Sequence, residues 1–307
     1  MAAGEVSFTA FYDLSVGPVS FDFVVFAVKA EIAKRKANCK HLHLVIVPYA
    51  DGSAGMFRDK SQFYDEHEAR WRLWNICIPA AQLLGASVTL ATGWAQAKRI
   101  YAGKFWPPDW DRQTLKNRWH LIGGVIATAK AGDAIPRLSA SIHARRKVRE
   151  AFARLGKPVV TMTQRSTYLP ERNSIPADWL EAAKHIESNG YAVVPIEDTG
   201  TALAHGGGFA ELNLDVRMAC YQEAALNLQA NNGAASLCWF SDVPYRMFGA
   251  GVPADEWDGL FVKQGLPLGE TWPWASEGQK ICYGVTTRDQ IVSEFNAWHK
   301  GECHRLG

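Results

Sequence analysis

The densest run of chemically competent side chains lies just past the middle of the chain. Thr161-Met162-Thr163-Gln164-Arg165-Ser166-Thr167-Tyr168 is followed closely by Glu171-Arg172-Asn173-Ser174. Two guanidiniums among hydroxyls and amides, just ahead of a helix N-terminus, suit a phosphate or diphosphate. The same residues equally suit a solvated loop with Ser174 as the helix cap. A second polar tip, Ile196-Glu197-Asp198-Thr199, offers carboxylates for a ribose or sugar hydroxyl, or a cap for the segment after it. Gly206-Gly207-Gly208, preceded by His205, permits close backbone approach to a ligand and also reads as a flexible loop. In Asn231-Asn232-Gly233-Ala234-Ala235, small residues and an Asn-Gly turn allow backbone amides to face a ligand. Asp215, Arg217, Tyr221 and Glu223 on the helix between them read as mostly solvent-facing, with Arg217 able to point toward the ligand edge.

Other chemistry is absent or weak. The chain has no G-x-x-x-x-G-K-[ST] loop, no G-x-G-x-x-G, no G-x-S-x-G elbow and no H-E-x-x-H. Those absences argue against kinases, simple dehydrogenases, serine hydrolases and zinc proteases. Asp109-Trp110-Asp111 has the D-x-D form that holds a metal-bound nucleotide, but it follows Trp106-Pro107-Pro108 instead of a hydrophobic strand. Cys39-x-His41-x-His43 would share one strand face, yet no fourth ligand accompanies it, so no metal site is expected.

These residues need elements to hold them. At 307 residues, 48% hydrophobic and 21% charged, the chain is globular and long enough for two domains. Its net charge of +2 argues against a nucleic-acid binder. The average hides an asymmetry: residues 1–155 carry 22 Lys and Arg against 13 Asp and Glu, and residues 156–307 carry 11 against 18, or +9 and −7. Two units with different tasks, docked face to face, are the expectation, the basic one also suited to peripheral contact with a membrane. Six scattered cysteines and no basic, apolar leader at the N-terminus predict a reduced, cytoplasmic chain. The uncharged stretch 73–97 is too interrupted by polar and helix-breaking residues for a membrane span and reads as a helix followed by a strand.

Apolar runs at 6–12, 41–47 and 87–91 predict strands, separated by helices at 21–36 and 65–84. Residues 101–111, aromatic and proline-broken, predict irregular structure, and a basic helical segment follows. Gly156-Lys157 marks the expected boundary between domains 1–155 and 156–307. Beyond it the spacing predicts strands at 158–164, 191–196 and 236–240, with helices at 177–188, 214–227 and 287–298. The fold class is α/β, with two Rossmann-like parallel sheets. Ligands of such sheets bind beyond the carboxyl ends of the strands.

On these residues the second half resembles the nucleotide-sugar-binding domain of GT-B-fold glycosyltransferases, in their heptosyltransferase-like and fucosyltransferase-like branches. The features that carry the resemblance are Gln164-Arg165 at a strand end, Gly-Tyr-Ala-Val-Val-Pro-Ile-Glu-Asp-Thr at 190–199, and the turn Asn232-Gly233-Ala234-Ala235. The closing helix would return toward the first domain. The chain departs from heptosyltransferases in having Asn231-Asn232-Gly233 where an acidic residue before Gly-Pro is usual. The resemblance implies two facing domains and metal-independent transfer of a sugar from a nucleotide-sugar to a glycan or lipid-linked acceptor, without a further cofactor. It gives Arg165 and Arg172 the task of neutralising the departing diphosphate. It assigns donor contacts to Gln164, Ser166, Asn173, Glu197, Asp198, Thr199, Asn231, Asn232, Gly233, Ala234 and Ala235. Asp13, just past the first strand, becomes the general base, or else a cap for the turn that follows it. Arg58, Arg70 and Arg72 become acceptor contacts, or ordinary solvated cations. A nucleotide-sugar epimerase or hydrolase using Glu197, Asp198 and His205, and a non-catalytic binding module, are the alternatives on the same fold.

Overall fold

The computed structural model describes residues 7–51, 56–58, 64–100, 104–108, 110–111, 121–167, 170–198, 213–250 and 259–306. Contacts divide the chain into two units, Met1–Leu138 and Ser139–Gly307.

The first unit runs β1 (Ser7–Asp13), α1 (Asp22–Lys36), β2 (His41–Val47), α2 (Glu66–Arg72), a π-helical turn at Leu73–Cys77, α3 (Ile78–Gln82), β3 (Ser87–Leu90), α4 (Trp94–Ile100), β4 (Phe105–Trp106) and α5 (Gly123–Lys130). The strands pair only in parallel, in the order β3-β2-β1-β4. β1 and β2 are mostly apolar, Phe8–Tyr12 interrupted only by Thr9 and Leu42–Val47 only by His43, because a parallel sheet is covered on both faces. Within the proline-broken stretch, Phe105 and Trp106 pair with Thr9 and Ala10 before Pro107 removes the next donor, a short strand that the prolines do not predict. The uncharged stretch 73–97 resolves into helical turns, a strand and a helix. Among the described residues no helix is long and apolar enough to cross a membrane.

The second unit runs α6 (Ile142–Ala153), β5 (Val159–Thr163), a 3-10 turn at Pro170–Arg172, α7 (Pro176–Ser188), β6 (Ala192–Pro195), α8 (Leu214–Glu223), β7 (Leu226–Ala230), a 3-10 turn at Gly233–Ala235, α9 (Ser236–Trp239), β8 (Tyr245–Ala250), α10 (Gly259–Lys263), β9 (Gln279–Tyr283) and α11 (Arg288–Leu306). Its sheet is also parallel, in the order β6-β5-β7-β8-β9. One face packs Val160, Met162, Leu226, Leu228 and Phe248 against Trp179 and Ile186 of α7 and Phe295 and Trp298 of α11. The opposite positions of the same strands, Thr161, Thr163, Asn227 and Gln229, are polar and fully buried.

That polar face corrects the sequence reading twice. The helix expected over 214–227 stops at Glu223, and Leu226–Ala230 is a strand. This strand lacks the continuous apolar run of a buried strand because Asn227 and Gln229 occupy buried positions, where hydrogen bonds take the place of apolar contact. Asn227 Nδ2 donates to the carbonyls of Tyr221 (3.0 Å) and Pro244 (2.9 Å), and its Oδ1 accepts from Thr161 (2.5 Å). Conversely, the apolar run 236–240 is a short helix, not a strand. Length and hydrophobicity alone do not separate the two for so short a buried segment.

The contact boundary lies at 138/139, ahead of the expected 155/156. Glu223 on α8 binds Arg145 (2.7 Å) and Arg149 (2.8 Å) of α6, and Asp215 accepts from the Ser141 amide (2.7 Å) and hydroxyl (2.6 Å). With α6 counted in the second unit, the units carry 17 basic against 12 acidic and 16 against 19 residues, or +5 and −3. The charge contrast of the two halves is therefore roughly halved once a helix whose cations are partly neutralised within its own unit is reassigned.

One cation of the first unit is held at a cost. Lys29 of α1 lies against the start of α5, its Nζ donating to the Leu121 carbonyl at 3.3 Å, and a Cβ on Gly124 would stand 3.0 Å from its Cε. Burial lowers its pKa from 10.5 to about 8. The unfolded chain thus binds more protons between pH 8 and 10.5, so stability rises with pH across that window and the full cost applies below it. Replacing Lys29 with Met is expected to stabilise the protein by about 1–3 kcal/mol at pH 7, the lost hydrogen bond offsetting part of the gain. Chemical denaturation at pH 7 and pH 10.5 checks this. The advantage over wild type must shrink at the higher pH.

Candidate functional site

The second sheet places the polar runs picked out in the sequence side by side. From β5 the chain adds β6 on one flank and then crosses back to add β7 on the other, so the strand order reverses at β5/β7. Crevices at such reversals, beyond the carboxyl ends of the strands, are where open α/β sheets bind ligands. The register pairs Met162 with Pro195 and Thr163 with Gln229. Continued past the strand ends, it sets Asp198, Arg165 and Asn231 in one row across β6, β5 and β7.

Hydrogen bonds knit this row. Arg165 Nη1 donates to the Asn231 carbonyl at 2.7 Å, across the reversal point. The Ser166 amide donates to Asp198 Oδ2 at 3.2 Å. Ser174 clasps Arg165 from behind: its Oγ accepts from the Arg165 amide (2.8 Å) and its amide donates to the Arg165 carbonyl (3.0 Å). The helix-capping role expected of Ser174 is not realised, because α7 starts after Ile175 with no side-chain cap. Asn173 shapes the same loop, its Oδ1 accepting from the Thr167 amide (2.7 Å) and its Nδ2 donating to the Thr167 carbonyl (3.0 Å). Gln164 is half-buried at the end of β5, and Arg172, also half-buried, closes the 3-10 turn.

Across the crevice, Asn232 Oδ1 caps the amide of Ala235 at 3.0 Å. Ala234 and Ala235 are buried, Asn231 is half-buried and Gly233 is exposed. The accessible part of the small-residue turn is therefore narrower than the sequence suggests, reduced to Asn231 and Gly233. Glu197 is exposed and Asp198 half-buried. Thr199, His205 and Gly206-Gly207-Gly208 lie outside the described residues.

A polar layer beneath the row escaped the sequence reading. Arg217, expected to be solvent-facing or aimed at the ligand edge, is wholly buried, and its Nη2 donates to the Glu197 carbonyl at 2.5 Å. Its Nη1 lies 3.5 Å from the Tyr221 hydroxyl, which lies 3.2 Å from Thr163 Oγ1 at the tip of β5. Burial pushes the Tyr221 phenol up to about 12, with the Arg217 charge pulling the other way. Cys238 is pushed up by burial as well, offset by its hydrogen bond from Gln229 Nε2 (2.8 Å) and by Arg217. The only sequence signal for this layer is a period-two alternation of Thr, Asn and Gln with apolar residues in β5 and β7.

In the first unit Asp13 ends β1, beside the reversal between β1 and β4. It is 2% exposed, and its Oδ1 accepts from the Ser15 amide at 2.9 Å. The capping alternative thus describes a bond that exists. The turn is rigid because Gly17 lies against the Tyr12 ring, where a Cβ would stand 2.5 Å from Cζ, and the Tyr12 hydroxyl donates to the Pro18 carbonyl at 2.6 Å. Of the three acceptor candidates, Arg58 is exposed and Arg70 is exposed with its guanidinium over the Phe57 ring (5.3 Å). Arg72 departs from that expectation. It is buried, bound to Glu68 by Nε (2.9 Å) and Nη2 (2.8 Å), and stacked on Tyr64 (3.8 Å).

Of the two weak metal motifs, only Cys39-x-His41-x-His43 lies wholly among the described residues. Asp109 lies outside the described residues, and Trp110 stacks on Phe11 (3.7 Å between rings). Cys39 is buried, and His43, its pKa lowered by burial, bonds Thr89 Oγ1 at 2.9 Å. Among the described residues no group of three His, Cys, Asp or Glu side chains converges on a common point.

No protein-family model and no curated protein matches the chain. Solved structures do. A glycosyl transferase family 9 protein from Veillonella parvula superposes with a TM-score of 0.53 over 97% of this chain and 98% of its own, at 10% identity. The iron-containing heptosyltransferase TibC, dodecameric and in complex with ADP-D-beta-D-heptose, superposes with a TM-score of 0.50 over 96% of this chain and 76% of its own, at 14% identity. At these identities the likeness concerns fold. The chain has the two-sheet GT-B architecture that its second half resembles in sequence.

The buried layer yields a stability prediction. Tyr221→Phe removes the hydroxyl between Thr163 and Arg217, leaving both short of a partner. Urea denaturation is expected to show a loss of about 1–2 kcal/mol with an unchanged m-value.

Proposed function

We propose that the chain is a glycosyltransferase that moves a sugar from a nucleoside-diphosphate sugar to a glycan or lipid-linked acceptor, without a metal ion. The observation that carries this reading is the Arg165 bridge across the β5/β7 reversal. It is supported by an overall fold likeness that spans nearly the whole of a family 9 glycosyl transferase. TibC, of similar fold, holds an ADP-sugar, and a nucleoside-diphosphate sugar is the donor class we assign here.

Sugar transfer from such a donor expels a nucleoside diphosphate, so negative charge grows on the oxygen that leaves. Preorganised cations at that oxygen supply the stabilisation that a divalent metal supplies elsewhere. Arg165 is preorganised: its backbone is clasped by Ser174 and its guanidinium is anchored on the Asn231 carbonyl. Arg172 adds a second charge from the turn that follows. Asp198, held by the Ser166 amide next to Arg165, is the carboxylate we assign to the donor ribose hydroxyls while the phosphates lie at Arg165. Gly233 lets the backbone approach the donor from the other flank.

The acceptor hydroxyl must lose a proton as it attacks, and Asp13 is the carboxylate we assign to receive it. Its bond from the Ser15 amide fixes one oxygen, which orients the other. Arg58 and Arg70 are the exposed cations available to an acidic acceptor.

A thermal-shift screen against ADP, GDP, UDP and CDP, in EDTA and in magnesium, tests the donor half of the proposal. One nucleotide is expected to raise the melting temperature equally in both buffers, and Arg165→Ala is expected to lose the shift relative to its own baseline. A shift that requires magnesium sinks the metal-independent reading, and no shift with any of the four sinks the donor site. Asp13→Asn is expected to keep the nucleotide shift while sugar transfer falls by about 100-fold or more.

A further inference from the structure

We infer that Arg217 is a positioning residue that sets the ribose-facing corner of the donor site from inside the protein. This rests on the nucleotide-sugar reading and adds a residue to it. The last ladder bond of β6 runs from the Ile196 amide to the Met162 carbonyl at 2.9 Å. Beyond that rung the chain leaves the sheet, and the next two residues are Glu197 and Asp198. The Glu197 carbonyl is met from below by Arg217 Nη2, and the Asp198 carboxylate is met from the side by the Ser166 amide. A corner outside the ladder is thus tied to the helix behind the sheet and to the loop that carries Arg165.

Arg217 suits this work for three reasons. It is wholly buried, so its position is set by packing and not by solvent. Its helix is anchored at the start by Asn213, whose side chain accepts from the Val216 amide at 3.0 Å. Its guanidinium offers donors in a rigid fork, one prong to Glu197 and one toward Tyr221 and so to Thr163. The tips of β5 and β6 are thereby tied to a single side chain. A lysine in its place keeps the charge but has no fork. It can follow one tip and not both.

The consequence is selective. Loss of the fork loosens Asp198 while leaving Arg165 on its Asn231 anchor, so recognition of ribose hydroxyls suffers more than recognition of phosphates. A residue that merely stabilised the fold would weaken all ligands alike.

The experiment is calorimetric titration of wild type and Arg217→Lys with ADP, GDP, UDP and CDP and with their 2′-deoxy counterparts. For the nucleotide bound best, wild type is expected to prefer the ribo form by about 10-fold, the loss of one charge-assisted hydrogen bond. In Arg217→Lys that preference is expected to fall below about twofold while the deoxy nucleotide binds with nearly wild-type affinity. Wild-type binding with the same preference retained in Arg217→Lys overturns the inference and leaves the donor site standing. Wild-type binding without any ribo preference overturns it as well. Failure of wild type to bind any of the eight removes the donor reading itself, and with it any such role for Arg217. Should Arg217→Lys fail to fold, Tyr221→Phe takes its place. That variant removes one support of the fork and is expected to lower the preference by about threefold; an unchanged preference there overturns the inference.

Discussion

The second unit is organised by a reversal in strand order. A parallel sheet grows by crossovers of one hand, and when the chain adds β6 on one side of β5 and β7 on the other, the loops leaving β5 and β7 diverge to opposite faces. Nothing in the ladder fills the gap between them. Arg165 does, reaching from the end of β5 to the Asn231 carbonyl beyond β7. Ser174 clasps the Arg165 backbone from behind, the Ser166 amide binds Asp198 beside it, and the accessible part of the small-residue turn lies on the far side of the bridge.

Holding a charged row at a sheet edge requires support beneath it, and the two faces of the sheet divide the labour. The face against α7 and α11 is apolar and supplies the hydrophobic stabilisation, with large aromatics such as Trp179 and Phe295 fully enclosed. The face against α8 holds Thr161, Thr163, Asn227, Gln229 and Arg217, all without solvent contact. Burying such groups is costly unless they bond one another, and satisfied networks then fix one arrangement where an apolar core would tolerate several. The polar face contributes less to stability than an apolar one of equal area. What it gives is direction: the tips of β5 and β6 are held by hydrogen bonds with defined geometry.

The same division explains what the sequence disclosed. β1, α1 and β2 are legible because mostly apolar runs bounded by turn residues have few alternatives, and the placement of Asp13 and Arg165 is legible because they stand at or just past the ends of such runs. β7 is not, since Asn227 and Gln229 interrupt its apolar run in a region where the preceding helix already carries polar residues; the partner atoms on Thr161, Tyr221, Pro244 and Cys238 justify their burial. α6 is hard to assign to a unit from sequence for a related reason. Its cations look like a basic surface until Glu223 and Asp215, some seventy residues later, are found against it. Arg217 illustrates the limit most plainly, because a lone arginine on a helix is read as solvated unless the carbonyl it meets is known.

Each unit places one ionisable side chain at the carboxyl end of its first strand, next to its own strand-order reversal: a carboxylate, Asp13, in the first and a guanidinium, Arg165, in the second. The signs fit the two halves of a group transfer. A base must stay ionised until it takes a proton, and a like charge nearby raises the pKa of a carboxylate and favours its neutral form. An acidic side chain sharing a pocket with a diphosphate would suffer that penalty. In the proposed reading the base, Asp13, and the phosphate-binding arginines, Arg165 and Arg172, belong to different sheets. The rigid turns on both sides, Gly17 against Tyr12 and Ser174 against Arg165, keep those charges where they are formed.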